Sequence, residues 1–132
     1  KEILFNLLKS KSGYFIKKFS MEGTVSNKIA QTVSLIKENF DKKLNIKELA
    51  DNIEMSESSL YNNFKKITTM SPLQFQKKIR LEEAKQMLIN QNLDAAQVAF
   101  EVGYESPSQF SREYSRMFGM SPKAHVNLLK DN

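Results

Sequence analysis

From Ile29 onward, apolar residues return every three or four positions and never settle into alternation, which is the period of helices with one buried face. Ile29, Val33, Ile36 and Phe40 form the first such stripe. Continued along the chain, the spacing predicts helices over residues 26–40, 46–53, 57–68, 72–90, 94–102, 107–118 and 122–130. The expected class is therefore all-α.

Helix starts are marked independently. Each of the 3 prolines follows a serine, at Ser71-Pro72, Ser106-Pro107 and Ser121-Pro122. Serine can accept from the unpaired amides of a first turn, and proline suits the first helical position because its missing N–H would be unpaired there. Gln74 and Gln109 stand where they would complete capping boxes, and Asn45 with Glu48 and Asp94 with Gln97 repeat the same spacing. Residues 1–20 are different. Their two apolar clusters, Ile3 to Leu8 and Tyr14 to Phe19, have no evident place in the core that follows.

The chain also repeats itself. Ala50 pairs with Ala99 and Ile53 with Val102 at an offset of 49, whereas Leu60 pairs with Phe110, Phe64 with Tyr114, Ile67 with Met117 and Met70-Ser71-Pro72 with Met120-Ser121-Pro122 at 50. One residue has been added in the second turn. Solenoids of helix pairs need about three copies to bury their faces, so two copies suit a bipartite module better. Each copy is a short helix, a tight turn and a second helix, the plan of a helix-turn-helix. Ala50 and Ala99 are small where the helices must cross, and Gly103 can take the left-handed turn. Leu60, Phe64, Phe110, Tyr114, Met117 and Phe118 are expected to point inward.

What is left pointing outward carries the chemistry. Ser58, Tyr61, Asn62 and Lys65 share one face of the first unit's second helix, and Ser108, Gln109, Arg112 and Arg116 share a comparable face in the second. Serine, asparagine, glutamine and arginine are side chains that read base edges. An ordinary polar surface is the alternative, weakened because the pattern occurs in both copies.

Composition narrows the classes. With 40% hydrophobic and 27% charged residues among 132, the chain has the make-up of a globular domain, and no apolar run approaches the ~18 residues that cross a bilayer. Cysteine is absent and His125 is the single histidine, so no metal site is expected. The 4 glycines form no phosphate-binding loop, and adjacent Glu82 and Glu83 diverge by about 100° on a helix, so neither cofactor nor catalysis is expected. The net charge of +5 favours a polyanionic partner.

The stretch GYESPSQFSREYSRMFGMSP, residues 103–122, resembles the second helix-turn-helix of the AraC/XylS family of bacterial transcription regulators, and residues 44–88 resemble the first unit and its linker helix. The resemblance implies two helix-turn-helix subdomains joined by a long linker helix, with recognition helices 57–68 and 107–118 entering successive major grooves of double-stranded DNA. It puts Ser58, Tyr61, Asn62, Ser108, Gln109 and Arg112 at base-reading positions and Lys65, Lys66 and Arg116 at phosphates. Residues 1–24 resemble the end of a regulatory domain or a linker, and 25–132 the DNA-binding domain, divided as 25–71, 72–92 and 93–132. RNA polymerase, a small-molecule effector bound by a regulatory domain mostly outside this chain, and a cytoplasmic location are further expectations. A chain opening on Lys1 is expected to be a piece of a longer protein. One departure stands out: Glu54 takes the place usually given to glycine, where a left-handed residue costs roughly 1–2 kcal/mol, so the first unit is expected to be looser or differently turned. The competing class is a helical protein-interaction module that docks an acidic partner.

Overall fold

Serine, threonine, asparagine and aspartate caps start the helices of the computed structural model, which describes residues 24–130. Seven helices are present among these residues: α1 (Val25–Glu38), α2 (Ile46–Asn52), α3 (Glu57–Thr68), α4 (Pro72–Asn90), α5 (Ala95–Glu101), α6 (Pro107–Phe118) and α7 (Pro122–Lys130). No strand occurs among the described residues. The expectation about residues 1–24 lies, but for Thr24, outside them.

All three Ser-Pro pairs start helices as expected. Ser71, Ser106 and Ser121 each accept from the amide three residues on, at 3.2 Å. Reciprocal capping boxes form at Ser71 with Gln74 and at Asp94 with Gln97. The box expected of Gln109 does not form, because its side chain turns instead toward Glu113 on the next turn of α6. Helix α1 ends two residues before its predicted limit, where the Asn39 side chain donates to the Leu35 carbonyl at 2.9 Å. Phe40 thereby leaves the helical stripe and packs elsewhere.

The helices enclose two cores. Ile29, Ile36, Ala50, Ile53, Leu60 and Phe64 form the first, with Phe75 of α4 against them. Leu81, Ala84, Leu88, Val98, Ala99, Val102, Tyr104, Phe110 and Tyr114 form the second, and Phe40 crosses over to pack on it. Helix α4 thus serves both units, touching α1 and α3 in one and α5, α6 and α7 in the other. Its apolar residues do not gather on one face, since its first half is buried toward one core and its second half toward another.

Between the cores lies a polar joint. The Gln76 amide donates to the carbonyls of Phe40 and Lys42 at 3.2 and 2.7 Å, and Arg80 donates to the same two carbonyls at 2.6 and 3.1 Å. Gln76 is almost wholly buried. Arg80 also lies over the Tyr104 ring, 5.6 Å from its centroid. Gly103 closes the joint from the second unit. Its φ of 104° is one that side chains avoid, and a Cβ there would stand 2.5 Å from the Asp41 carbonyl oxygen and 2.8 Å from Arg80. No helix of the described residues is long and apolar enough to cross a membrane.

Two glycines separate strain from crowding. Gly119, at φ 80°, has open space where its Cβ would be. Gly119→Ala is expected to lower unfolding stability by about 1 kcal/mol, and Gly103→Ala, which adds a backbone clash, by about 3 kcal/mol or more. Urea unfolding of the two variants checks the difference; equal losses would mean that the joint yields freely.

Candidate nucleic-acid interface

Helices α3 and α6 are each anchored by two fully buried side chains, Leu60 and Phe64 in one and Phe110 and Tyr114 in the other. This anchoring decides which residues face out. Ser58, Tyr61, Asn62, Lys65 and Lys66 are exposed on α3, as are Ser108, Gln109, Arg112 and Arg116 on α6. The structure therefore brings each predicted set onto one outer helix face. Ser58, Asn62 and Lys66 are the repeat equivalents of Ser108, Arg112 and Arg116.

The turns that aim the two helices match, despite the sequence difference between them. In the first, the Met55 amide donates to the Ala50 carbonyl at 3.0 Å; in the second, Tyr104 donates to Ala99 at 2.9 Å. Glu54 adopts φ 57°, so it takes the left-handed conformation that its glycine counterpart would. The expectation of a differently turned first unit is corrected: the backbone bonds of the turn hold Glu54 there against the local cost. The added residue of the second copy is Glu105, which lies after this shared turn and before the Ser106 cap.

One further expectation changes. Met117 was expected to point inward, but it is 38% exposed, as its counterpart Ile67 is at 45%. Phe118 takes the inward place, with ring centroids 4.5 Å from Tyr114 and 5.1 Å from His125. His125 has a packing and hydrogen-bonding role, its Nδ1 lying 2.8 Å from the Tyr114 hydroxyl. Burial pushes that hydroxyl's pKa up to about 12, so it stays protonated at neutral pH.

A network that the sequence reading missed lies beside the α6 face. The Tyr104 hydroxyl donates to Glu113 Oε1 at 2.6 Å, the Gln109 amide donates to Oε2 at 3.2 Å, and Lys77 Nζ stands 3.5 Å from Oε2. Burial alone would raise the Glu113 carboxyl, but the bonds from Tyr104 and Gln109 and the charge of Lys77 hold it below its ordinary value. The spacing of Gln109 and Glu113, four residues apart on one helix, was a readable signal. Tyr104 and Lys77 gave none, because they arrive from other elements. In the first unit the equivalent positions hold Ser59 and Asn63, and the Asn63 amide is spent on the Ser59 carbonyl and hydroxyl at 2.9 and 3.2 Å.

A helix-turn-helix domain family matches residues 49–127, which run from within α2 into α7 and include the whole of α3, α4, α5 and α6. The chain belongs to the AraC-type helix-turn-helix family. Among its relatives are the lactose operon transcription activator of Staphylococcus xylosus, 29% identical over 91% of this chain and 43% of that protein, and the raffinose operon transcriptional regulatory protein of Pediococcus pentosaceus, 37% identical over 68% of this chain and 32% of that one. The chain thus spans less than half the length of these relatives. Two solved structures share the fold. The C-terminal domain of AraT, a response regulator from Geobacillus stearothermophilus, superposes with a TM-score of 0.73 at 24% identity, covering 79% of this chain and 87% of that one. The DNA-binding domain of AdpA, solved with a target DNA, gives 0.73 at 24% identity over 78% of this chain and 93% of its own. The AraC-type arrangement of two units on one linker helix is therefore the architecture here.

Glu113 makes a signed prediction about acid. Its depressed folded value means that its contribution is fully present above the ordinary value of 4.5 and is lost as pH falls through the lower folded value. The melting-temperature gap between the parent and Glu113→Gln is expected to be widest near neutrality and to close on acidification below about pH 4. A gap independent of pH would show that the charge of Glu113 contributes nothing.

Proposed function

We propose that this chain is the DNA-reading part of a transcription regulator, and that α3 and α6 enter successive major grooves of one duplex. One observation carries the reading: two helix-turn-helix units present exposed faces at equivalent positions, and a single helix ties both to one another. Ser58, Tyr61 and Asn62 of α3 and Ser108, Gln109 and Arg112 of α6 are the base-reading side chains, whereas Lys65, Lys66 and Arg116 meet phosphates. The names of the relatives support a role in regulating operons, and the AdpA domain was solved on its target DNA. RNA polymerase and a small-molecule effector are the other partners of this reading, the effector acting through a regulatory domain, and the cytoplasm is the place where it operates.

Arg80 lies outside the DNA-contacting set. Its guanidinium is occupied by the Phe40 and Lys42 carbonyls and lies on Tyr104, so its loss would disturb the joint between the units rather than a phosphate contact. The two faces differ in chemistry, Asn62 standing where the second unit has Arg112, so the expected site is asymmetric and read by one chain. A protein-docking module fits less well, since nothing in that reading requires two matched faces.

Affinity for duplex DNA should fall steeply with salt, and replacing Lys65, Lys66 and Arg116 together by alanine should reduce the salt slope by about 3 at −0.9 per phosphate. An unchanged slope removes them from the phosphate set. Arg112→Ala should cost about 1–3 kcal/mol and relax one position of the site if Arg112 reads guanine, measured by selection from random duplexes. An unchanged preference would take it off the reading face. Helix α4, with 19 residues, is about 28 Å long at 1.5 Å per residue, near the ~34 Å between adjacent major grooves on one side of DNA. Inserting about 5 base pairs between the two elements should bring binding toward the non-specific level; full-strength binding would mean that one unit alone reads sequence.

A further inference from the structure

The contact between Gln109 and Glu113 sets which way round the glutamine amide is presented. An ionised carboxylate only accepts hydrogen bonds, so Glu113 Oε2, 3.2 Å away, must face the nitrogen of Gln109 and not its oxygen. Glu113 cannot easily turn away, because Tyr104 holds its other oxygen at 2.6 Å and Lys77 stands beside it. The Gln109 side chain is exposed, and with one N–H given to Glu113 it keeps a second N–H and a carbonyl oxygen for a ligand. A donor beside an acceptor matches one base edge in two-bond fashion, the N7 acceptor and N6–H donor of adenine. Guanine offers two acceptors there, cytosine a donor and thymine an acceptor with a methyl group.

We propose that Gln109 reads an adenine in the half of the site bound by the second unit, and that Glu113 is the positioning residue that fixes its amide for that base. This rests on the DNA-reading function proposed above. The first unit lacks the device. Ser59 replaces the glutamine and is half-buried, and the Asn63 amide is bonded back onto its own helix. Adenine recognition of this kind therefore belongs to one end of the site, which adds to its asymmetry.

The test begins with selection of duplexes from a random pool by the whole 132-residue chain. One position should favour adenine, and Gln109→Ala should remove that preference and no other. Replacing this adenine by 7-deazaadenine, which lacks the N7 acceptor, should weaken the parent about tenfold and leave Gln109→Ala unaffected. Glu113→Ala should reduce the adenine preference about tenfold with other positions changed less than about twofold, and Glu113→Gln, which keeps an acceptor, should restore part of it. Where a circular dichroism melt shows Glu113→Ala to be poorly folded, Glu113→Leu fills the space without an acceptor and takes its place. A loss spread evenly over all positions would reduce Glu113 to a structural role and overturn its assignment, and a Gln109-dependent position that is not adenine would overturn the other half. A pool in which nothing is enriched would instead overturn the DNA-reading function itself.

Discussion

The hold of Gln76 and Arg80 on the carbonyls of Phe40 and Lys42 is the interaction on which the relation between the two units depends. Those carbonyls belong to the turn that ends α1, and without partners they would be polar groups at a packed joint, at a cost of roughly 1–3 kcal/mol each. Satisfying both from α4 ties the first unit's turn to the helix that also builds the second core. Tyr104 then lies against Arg80, and Gly103 lets the second turn approach the Asp41 carbonyl. Helices α3 and α6 are each aimed by their own turn, but the angle between them passes through this joint.

The two copies solve one geometric requirement with different residues. Both turns need a left-handed residue at the same place, and Glu54 supplies it in one and Gly103 in the other. Glu54 is exposed, so its side chain has room and only the local conformational cost remains. Gly103 sits where a Cβ would strike backbone, so its position is demanded by space as well as by φ. A glycine judged only by backbone conformation would be thought equally replaceable in both.

The two outer helix faces were legible because they rest on helical geometry alone. Once Leu60, Phe64, Phe110 and Tyr114 point inward, Ser58, Asn62, Ser108 and Arg112 must point outward. Met117 departs from this rule. At the end of α6, Phe118 and Met117 are both apolar neighbours of the stripe, and the packing of His125 from α7 decides that Phe118 is covered and Met117 is not. The state of Gln109 was also out of reach, since its i to i+4 bond to Glu113 and a capping box with Ser106 are both locally allowed. Tyr104 and Lys77 orient the carboxylate and give Gln109 its partner.

By itself the sequence determined most of what acts within about one helical turn: the Ser-Pro caps, the helices to within two residues at their ends, the inward stripes apart from Phe40 and Met117, and the duplication that places two similar units on one chain. Such terms involve residues three or four apart, so they are present in the order of residues before any folding. Only the tertiary structure decided the joint. Gln76 and Arg80 meet carbonyls 34 to 40 residues away, and Phe40 passes from the first unit into the second core. A polar side chain on a linker helix reads as a surface residue until the chain path brings unsatisfied carbonyls to it, and that path is set by the packing of two cores together.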